Sequence, residues 1–303
     1  MGNKNVKAKE LVYELCKNDI TSLSVTLKTF KSLDFLLDIP SDLREKFKIP
    51  YYWHPSPLHL ICYFKNYDLL EFVFEAFEHI DLNIQDNNGY TPLMSSIRKE
   101  DIYFCERLLE YGALHTTNNQ FDNGDSPLHY ACDIGNINIV KLLLDYGAII
   151  DIPNALKITP LMYAVQKEHW KLVKVLLSYK SDPTIKDIYG DTALHWAIKK
   201  KAKKAIIDEL IRGRDLTELL YDKNEEGITL LQLWRINMPN EDPLFLNQSN
   251  TSETVTDRTA SFEKFEEENP IVLEPVQKPN IVLKSVGKII DFFITDELSW
   301  TNN

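Results

Sequence analysis

Seven histidines and four cysteines supply the side chains of this 303-residue sequence best suited to metal binding or nucleophilic attack. Their spacing argues against both uses. Cys16, Cys62, Cys105 and Cys132 are far apart and form no CxxC pair, so they outline neither a zinc site nor a disulfide framework. All four fall in helical apolar patterns, which reads as small buried thiols in a reducing compartment. His54, His79, His115 and His169 are scattered, with no HExxH or HxH arrangement. Only His59, His129 and His195 share a context, the fourth place of a recurring short signature. No Gly-rich phosphate loop, GxSxG elbow or kinase signature occurs among the ten glycines. The reading is of a chain with no catalytic residues, no cofactor site and no metal site.

The remaining chemistry is that of charge. Lys199-Lys200-Lys201-Ala202-Lys203-Lys204 is the densest basic run. It reads as a solvated helix end, a nuclear-import signal, or a contact for an acidic partner or for the chain's own acidic tail. The net charge of −11 argues against a nucleic-acid binder. Residues 239–303 hold 12 acids and 5 bases, a balance of −7, so the acidity belongs mostly to the tail. No run of 18 apolar residues is present, and the N-terminus has no apolar signal region. Gly2 invites myristoylation, but Val6 stands where that motif takes Ser or Thr. The expectation is a soluble cytoplasmic or nuclear protein without stable membrane insertion.

The elements that position these residues are visible as a period. Ser56-Pro57-Leu58-His59, Thr91-Pro92-Leu93-Met94, Ser126-Pro127-Leu128-His129, Thr159-Pro160-Leu161-Met162, Thr192-Ala193-Leu194-His195 and Thr229-Leu230-Leu231-Gln232 follow one another at 35, 35, 33, 33 and 37 residues. Each copy opens with a capping hydroxyl, and four of the six carry Pro at the first helical position, where a missing N–H costs nothing. In the third copy Leu128, Ala131 and Cys132 recur at helical spacing. Gly135 ends that helix, and Ile139, Val140, Leu142 and Leu143 give a second helix its apolar stripe before Gly147. One such unit cannot bury its apolar face alone, so stability must come from stacking on its neighbours.

This signature and period resemble the ankyrin repeat from about residue 50 to about residue 236. The resemblance implies an all-α solenoid of stacked helix-turn-helix units joined by β-hairpin-like turns, followed by a largely disordered acidic tail. The expected organisation is a helical N-terminal cap over residues 1–50, containing a degenerate repeat, then the repeat domain over 51–238. An acidic linker over 239–280 and a C-terminal amphipathic helix or cap over 281–303 complete it. The resemblance further implies that His59, His129 and His195 hydrogen-bond neighbouring repeat loops. Partners of the family meet the turn tips and the concave face of each first helix. Those positions here include Tyr52, Trp53, Tyr63 and Phe64, then Tyr90, Arg98 and Lys99, then Ile134, Leu156, Ile158, Ile188, Tyr189, Lys199 and Lys200. Aromatic and basic side chains of this kind make binding hot spots; the alternative is that Tyr52, Trp53 and Phe64 pack beneath residues 31–50.

The expected function is a non-catalytic interaction scaffold, adaptor or inhibitor with a protein partner. Its layout resembles the inhibitor-of-NF-kappa-B proteins, although no Asp-Ser-Gly phosphodegron precedes the repeats. Ankyrin effectors of intracellular bacteria offer a second resemblance through the glutamate cluster Phe265 to Glu268, which would place the protein in host cytoplasm. A regulatory subunit of an enzyme complex is the third reading.

Overall fold

The computed structural model describes residues 10–15, 17, 20–30, 32–113, 124–214, 220 and 223–238. The tail expectations for 239–280 and 281–303, and the environment of Cys16 and His115, lie outside the described residues. Helices dominate: residues 10–15, then α1 (Ile20–Leu27), α2 (Ser41–Phe47), α3 (Pro57–Tyr63), α4 (Tyr67–Ala76), α5 (Pro92–Arg98), α6 (Ile102–Glu110), α7 (Pro127–Ile134) and α8 (Ile137–Asp145). They continue as α9 (Pro160–Gln166), α10 (Trp170–Ser178), α11 (Ala193–Lys199), α12 (Lys204–Ile211) and α13 (Leu230–Asn237). Extended pairing among the described residues is limited to an isolated antiparallel bridge between Lys223 and Thr229. The fold is the all-α ankyrin-type solenoid that the repeat period implies.

Each first helix begins as its signature dictates. Ser56 and Ser126 form capping boxes with His59 and His129, while Pro57 and Pro127 open the helices behind them. After the first helix of each of the first five units the chain turns through a left-handed residue at one fixed place of the repeat. That residue is Lys65, Glu100, Glu168 or Lys201, with φ of 54°, 51°, 57° and 52°, and a glycine, Gly135, only in the third unit. The turn lets the next backbone N–H reach back to the helix, as from Asp101 to the Ser96 carbonyl at 3.0 Å and from Ala202 to Ala197 at 2.8 Å. Asn66, Asp101 and Asn136 then cap α4, α6 and α8.

First helices stack on first helices in the order α3, α5, α7, α9, α11, α13, with each second helix packed behind its own first helix. One apolar core runs through the array, from Leu58 and Ile61 through Leu93, Leu128, Leu161 and Leu194 to Leu230 and Leu231. Ala131, Ala164 and Ala197 sit at equivalent places and are fully buried, their small side chains letting the second helix approach. The sixth unit carries Trp234 at that place, also 0% exposed.

Residues 32–55 lie over the first unit. Arg44, 4% exposed, donates from Nε to the Ile39 carbonyl at 2.8 Å and from Nη1 to the Trp53 carbonyl at 2.9 Å and to the Pro50 carbonyl. Leu37 N–H donates to the Pro55 carbonyl at 2.8 Å. These bonds fix the insertion to the start of the array, since a buried guanidinium needs its donors satisfied.

Candidate partner-binding face

Two of the signature histidines are structural. Ser56 N–H donates to His59 Nδ1 at 3.3 Å, which leaves the proton on Nε2 to bond the Tyr90 carbonyl of the next unit at 2.8 Å. His129 repeats the pattern, accepting from Ser126 N–H at 3.0 Å and bonding the Ile158 carbonyl at 3.0 Å. Burial pulls both imidazoles below the ordinary histidine pKa and holds them neutral. His195 Nδ1 likewise accepts from Thr192 N–H, at 3.2 Å. The implied inter-repeat role is therefore seen at His59 and His129.

The turn tips are held by buried Asx side chains. Asp86 Oδ1 accepts from the backbone of Asn88 and Tyr90, Asn154 Oδ1 from Leu156 and Ile158, Asp187 Oδ1 from Tyr189 and Asp191, and Asn224 Oδ1 from Glu226 and Ile228. Adjacent tips are stitched together as well, Ile188 N–H to the Leu156 carbonyl at 3.1 Å and Glu225 N–H to the Tyr189 carbonyl at 2.9 Å. Leu156, Ile158 and Ile188 are half-buried on these tips, and Tyr189 projects from its tip at 44% exposure.

The first unit divides between the two readings of its aromatics. Trp53, named among the partner-contacting positions, packs inward instead: it is 8% exposed and donates from Nε1 to Asp86 Oδ2 at 2.6 Å, tying the first unit to the second. Phe64 packs edge-on against Phe47 of the insertion, with centroids 6.4 Å apart. The insertion meets this part of the unit again at Arg44, which bonds the Trp53 carbonyl. Tyr52 remains exposed, and Tyr63 is half-buried with its ring 5.2 Å from that of Trp53.

From Tyr63 a strip of polar aromatic and charged side chains crosses the first-helix face. Lys99 Nζ lies 4.0 Å from the Tyr63 ring centroid and the Arg98 guanidinium 5.0 Å from that of Tyr90. The Tyr90 hydroxyl meets that of Tyr130 at 3.3 Å, and the Tyr163 hydroxyl donates to Asp125 Oδ2 at 2.9 Å. Lys167 pairs with Asp133 at 3.2 Å, while Ile134 is half-buried beside it. Trp196 Nε1 donates to Asp187 Oδ2 at 2.9 Å. Lys199 bonds Asp191 and lies 3.5 Å from Glu226, and Lys200 is exposed. Burial, followed by neighbouring phenol and carboxylate groups, raises the Tyr130 and Tyr163 hydroxyls well above the ordinary tyrosine pKa, so they stay protonated donors.

Tyr130, Tyr163 and Trp196 belong to this strip and are absent from the sequence-based expectation. All three occupy the fifth place of their signatures, so aligning the six copies position by position exposes them. Cys62, Cys105 and Cys132 are buried free thiols, with burial pushing the Cys62 thiol up to about 12. No group of three or more metal-ligating side chains occurs among the described residues, and no described helix is long and apolar enough to cross a membrane.

Comparison of the sequence with known proteins points to the same kind of repeat. The family described as Ankyrin repeats (3 copies) matches residues 24–119, 113–187 and 150–218. ANK repeat-containing protein nipk-1 of Caenorhabditis elegans is 34% identical over a stretch covering 29% of this chain and 16% of its own length. Ankyrin repeat protein nuc-2 of Neurospora crassa is 33% identical over 30% of this chain and 8% of its own length. The chain thus spans a small part of the curated relatives it matches. The family match itself runs from residue 24 to residue 218, more than half of the sequence, and the chain belongs to the ankyrin-repeat family.

Proposed function

We propose that this protein is a non-catalytic interaction scaffold, adaptor or inhibitor that grips a protein partner with its turn tips and first-helix face. Ankyrin repeats are protein-interaction modules in general, and the observation that carries the reading here is the composition of the strip from Tyr63 to Lys200. Tyrosine, tryptophan and arginine are the side chains that anchor interfaces: the aromatics bury much area for few rotatable bonds and keep a polar tip, and the planar guanidinium stacks on rings and bonds carboxylates in pairs. In this strip Tyr163 is held by Asp125, Trp196 by Asp187, and Tyr90 by Tyr130 and Arg98, so less side-chain entropy remains to be lost on binding.

The test is affinity capture with quantitative mass spectrometry, comparing three full-length chains whose folding is checked by circular dichroism. They are the native protein, a Tyr189→Ala, Lys200→Ala variant on the proposed face, and a Trp170→Ala, Tyr179→Ala variant on the second helices. A protein held by the native chain and by the second-helix variant, but lost by the first, supports the reading. Equal retention by all three places recognition elsewhere and overturns it.

A further inference from the structure

The second helices change sign along the array. The second helical place is Asp68 in α4 and Lys171 in α10, and the fifth place is Glu71, Glu106, Lys141 and Lys174 in α4, α6, α8 and α10. Asp68, Glu106, Lys141, Lys171 and Lys174 are exposed, and among the described residues none of them lies within ion-pair distance of an opposite charge. Glu71 is held by Arg107 of the next second helix. Units one and two therefore present an acidic outer surface, and units three and four a basic one.

The same helices carry most of the exposed large apolar side chains of the repeats. Of the eight described between residues 57 and 211, six stand on second helices or on the residue that ends one: Tyr67, Ile102, Tyr103, Tyr111, Trp170 and Tyr179. Several are already packed, Tyr67 against Tyr103 at 5.0 Å between centroids and Tyr111 stacked on Phe74 at 3.7 Å. Exposed apolar groups gathered on one face and rimmed by charge mark an association surface.

We infer that two copies of this chain associate through the second-helix face, around a two-fold axis parallel to the helices and midway between α6 and α8. Packing two identical faces on each other puts the axis in the plane of contact. An axis along the stacking direction lays each unit on itself, acid on acid and lysine on lysine. An axis along the helices instead reverses the stacking order and keeps the height, so α4 meets the other copy's α10 and α6 meets its α8. Asp68 then faces Lys171, Glu106 faces Lys141, and Glu71 faces Lys174, each contact made twice by symmetry. Glu110 faces Asp145, a like-charged match in which Glu110 is bonded to Arg107 and Asp145 accepts from the Tyr179 hydroxyl. Four helices about 10 Å apart and about 14 Å long make a face of roughly 40 by 14 Å, so the two copies together bury about 1,100 Å², the size of a weak, reversible interface. The first-helix face stays open in this dimer, so the inference stands apart from partner binding there.

Sedimentation velocity of the full-length chain, from about 1 to about 100 μM, tests this. The expected result is a monomer–dimer equilibrium that weakens as salt shortens the Debye length from about 10 Å at 0.1 M to about 3 Å at 1 M. The sign is informative, because a net charge of −11 repels a second copy in general and salt would relieve that repulsion. Asp68→Lys and Lys171→Asp, each checked for helix content by circular dichroism, should each weaken the dimer about tenfold, since each turns two attractive contacts repulsive. Within one chain these positions are three units apart, roughly 30 Å, so the double variant regains native dimerisation only if they meet between copies. A monomer at every concentration, a dimer strengthened by salt, a dimer unmoved by the single substitutions, or a double variant no better than the singles overturns the proposal.

Discussion

His129 shows how one side chain serves two units. Its Nδ1 accepts from the cap of its own helix and its Nε2 donates to a carbonyl of the next turn, an arrangement open only to the neutral ring. Burial depresses the folded-state pKa of His59 and His129, while the unfolded chain titrates near the ordinary value of about 6.5. Below that pH the unfolded state binds more protons than the folded one, so stability is fully present above about pH 6.5 and is lost as pH falls toward the depressed folded value. Thermal melts should fall from pH 7.5 to pH 5. His129→Gln, which keeps a donor but does not titrate, should lower the midpoint at pH 7.5 and flatten its pH dependence. A slope identical to that of the native chain would show that this histidine is not a source of the acid sensitivity.

At the scale of the helix pair, the turn after each first helix sets the geometry, and four of its five residues are lysine or glutamate in a left-handed backbone. Side chains there carry a strain that glycine relieves. Lys201→Gly should therefore stabilise the protein by roughly 1 kcal/mol, read as a higher urea midpoint at unchanged slope. Gly135 is the contrary case. A Cβ on it would come within 2.6 Å of the His169 ring, which bonds the Asp133 carbonyl at 3.0 Å across the units. Gly135→Ala should destabilise by at least about 1 kcal/mol. If both substitutions move the midpoint in the same direction, the strain argument fails.

For the whole molecule, stability is a sum of unit and neighbour terms, and among the described residues the last unit has a neighbour on one side only. Trp234, filling the place taken by alanine in the third to fifth units, contributes the largest fully buried side chain there. Trp234→Ala should cost about 3–5 kcal/mol locally. Hydrogen exchange should then rise across residues 193–238 while 57–145 keep their protection. An even loss along the chain would mean that the array unfolds as one unit and not from its end.

Much of this architecture is legible in the amino-acid order because its determinants are local. A capping hydroxyl, Pro at the first helical position, a 3.6-residue apolar stripe and a turn all lie within one 33-residue unit, so the helix starts at Pro57, Pro92, Pro127 and Pro160 and the neutral signature histidines follow from the repeat itself. What required the fold is everything that depends on stacking. The insertion at 32–55 could not be placed by periodicity, and its Arg44 bonds the carbonyl of Trp53, whose indole N–H meets Asp86 of the next unit. Lys199 looks like one more open charge of the basic run in one dimension, yet Asp191 and Glu226 meet it in three. Lys65 reaches the Lys99 carbonyl and Asp101 only when one repeat is laid on the next. Charge and burial at a surface are sums over every segment that reaches it, and stacking brings together residues that lie a full repeat apart in the chain.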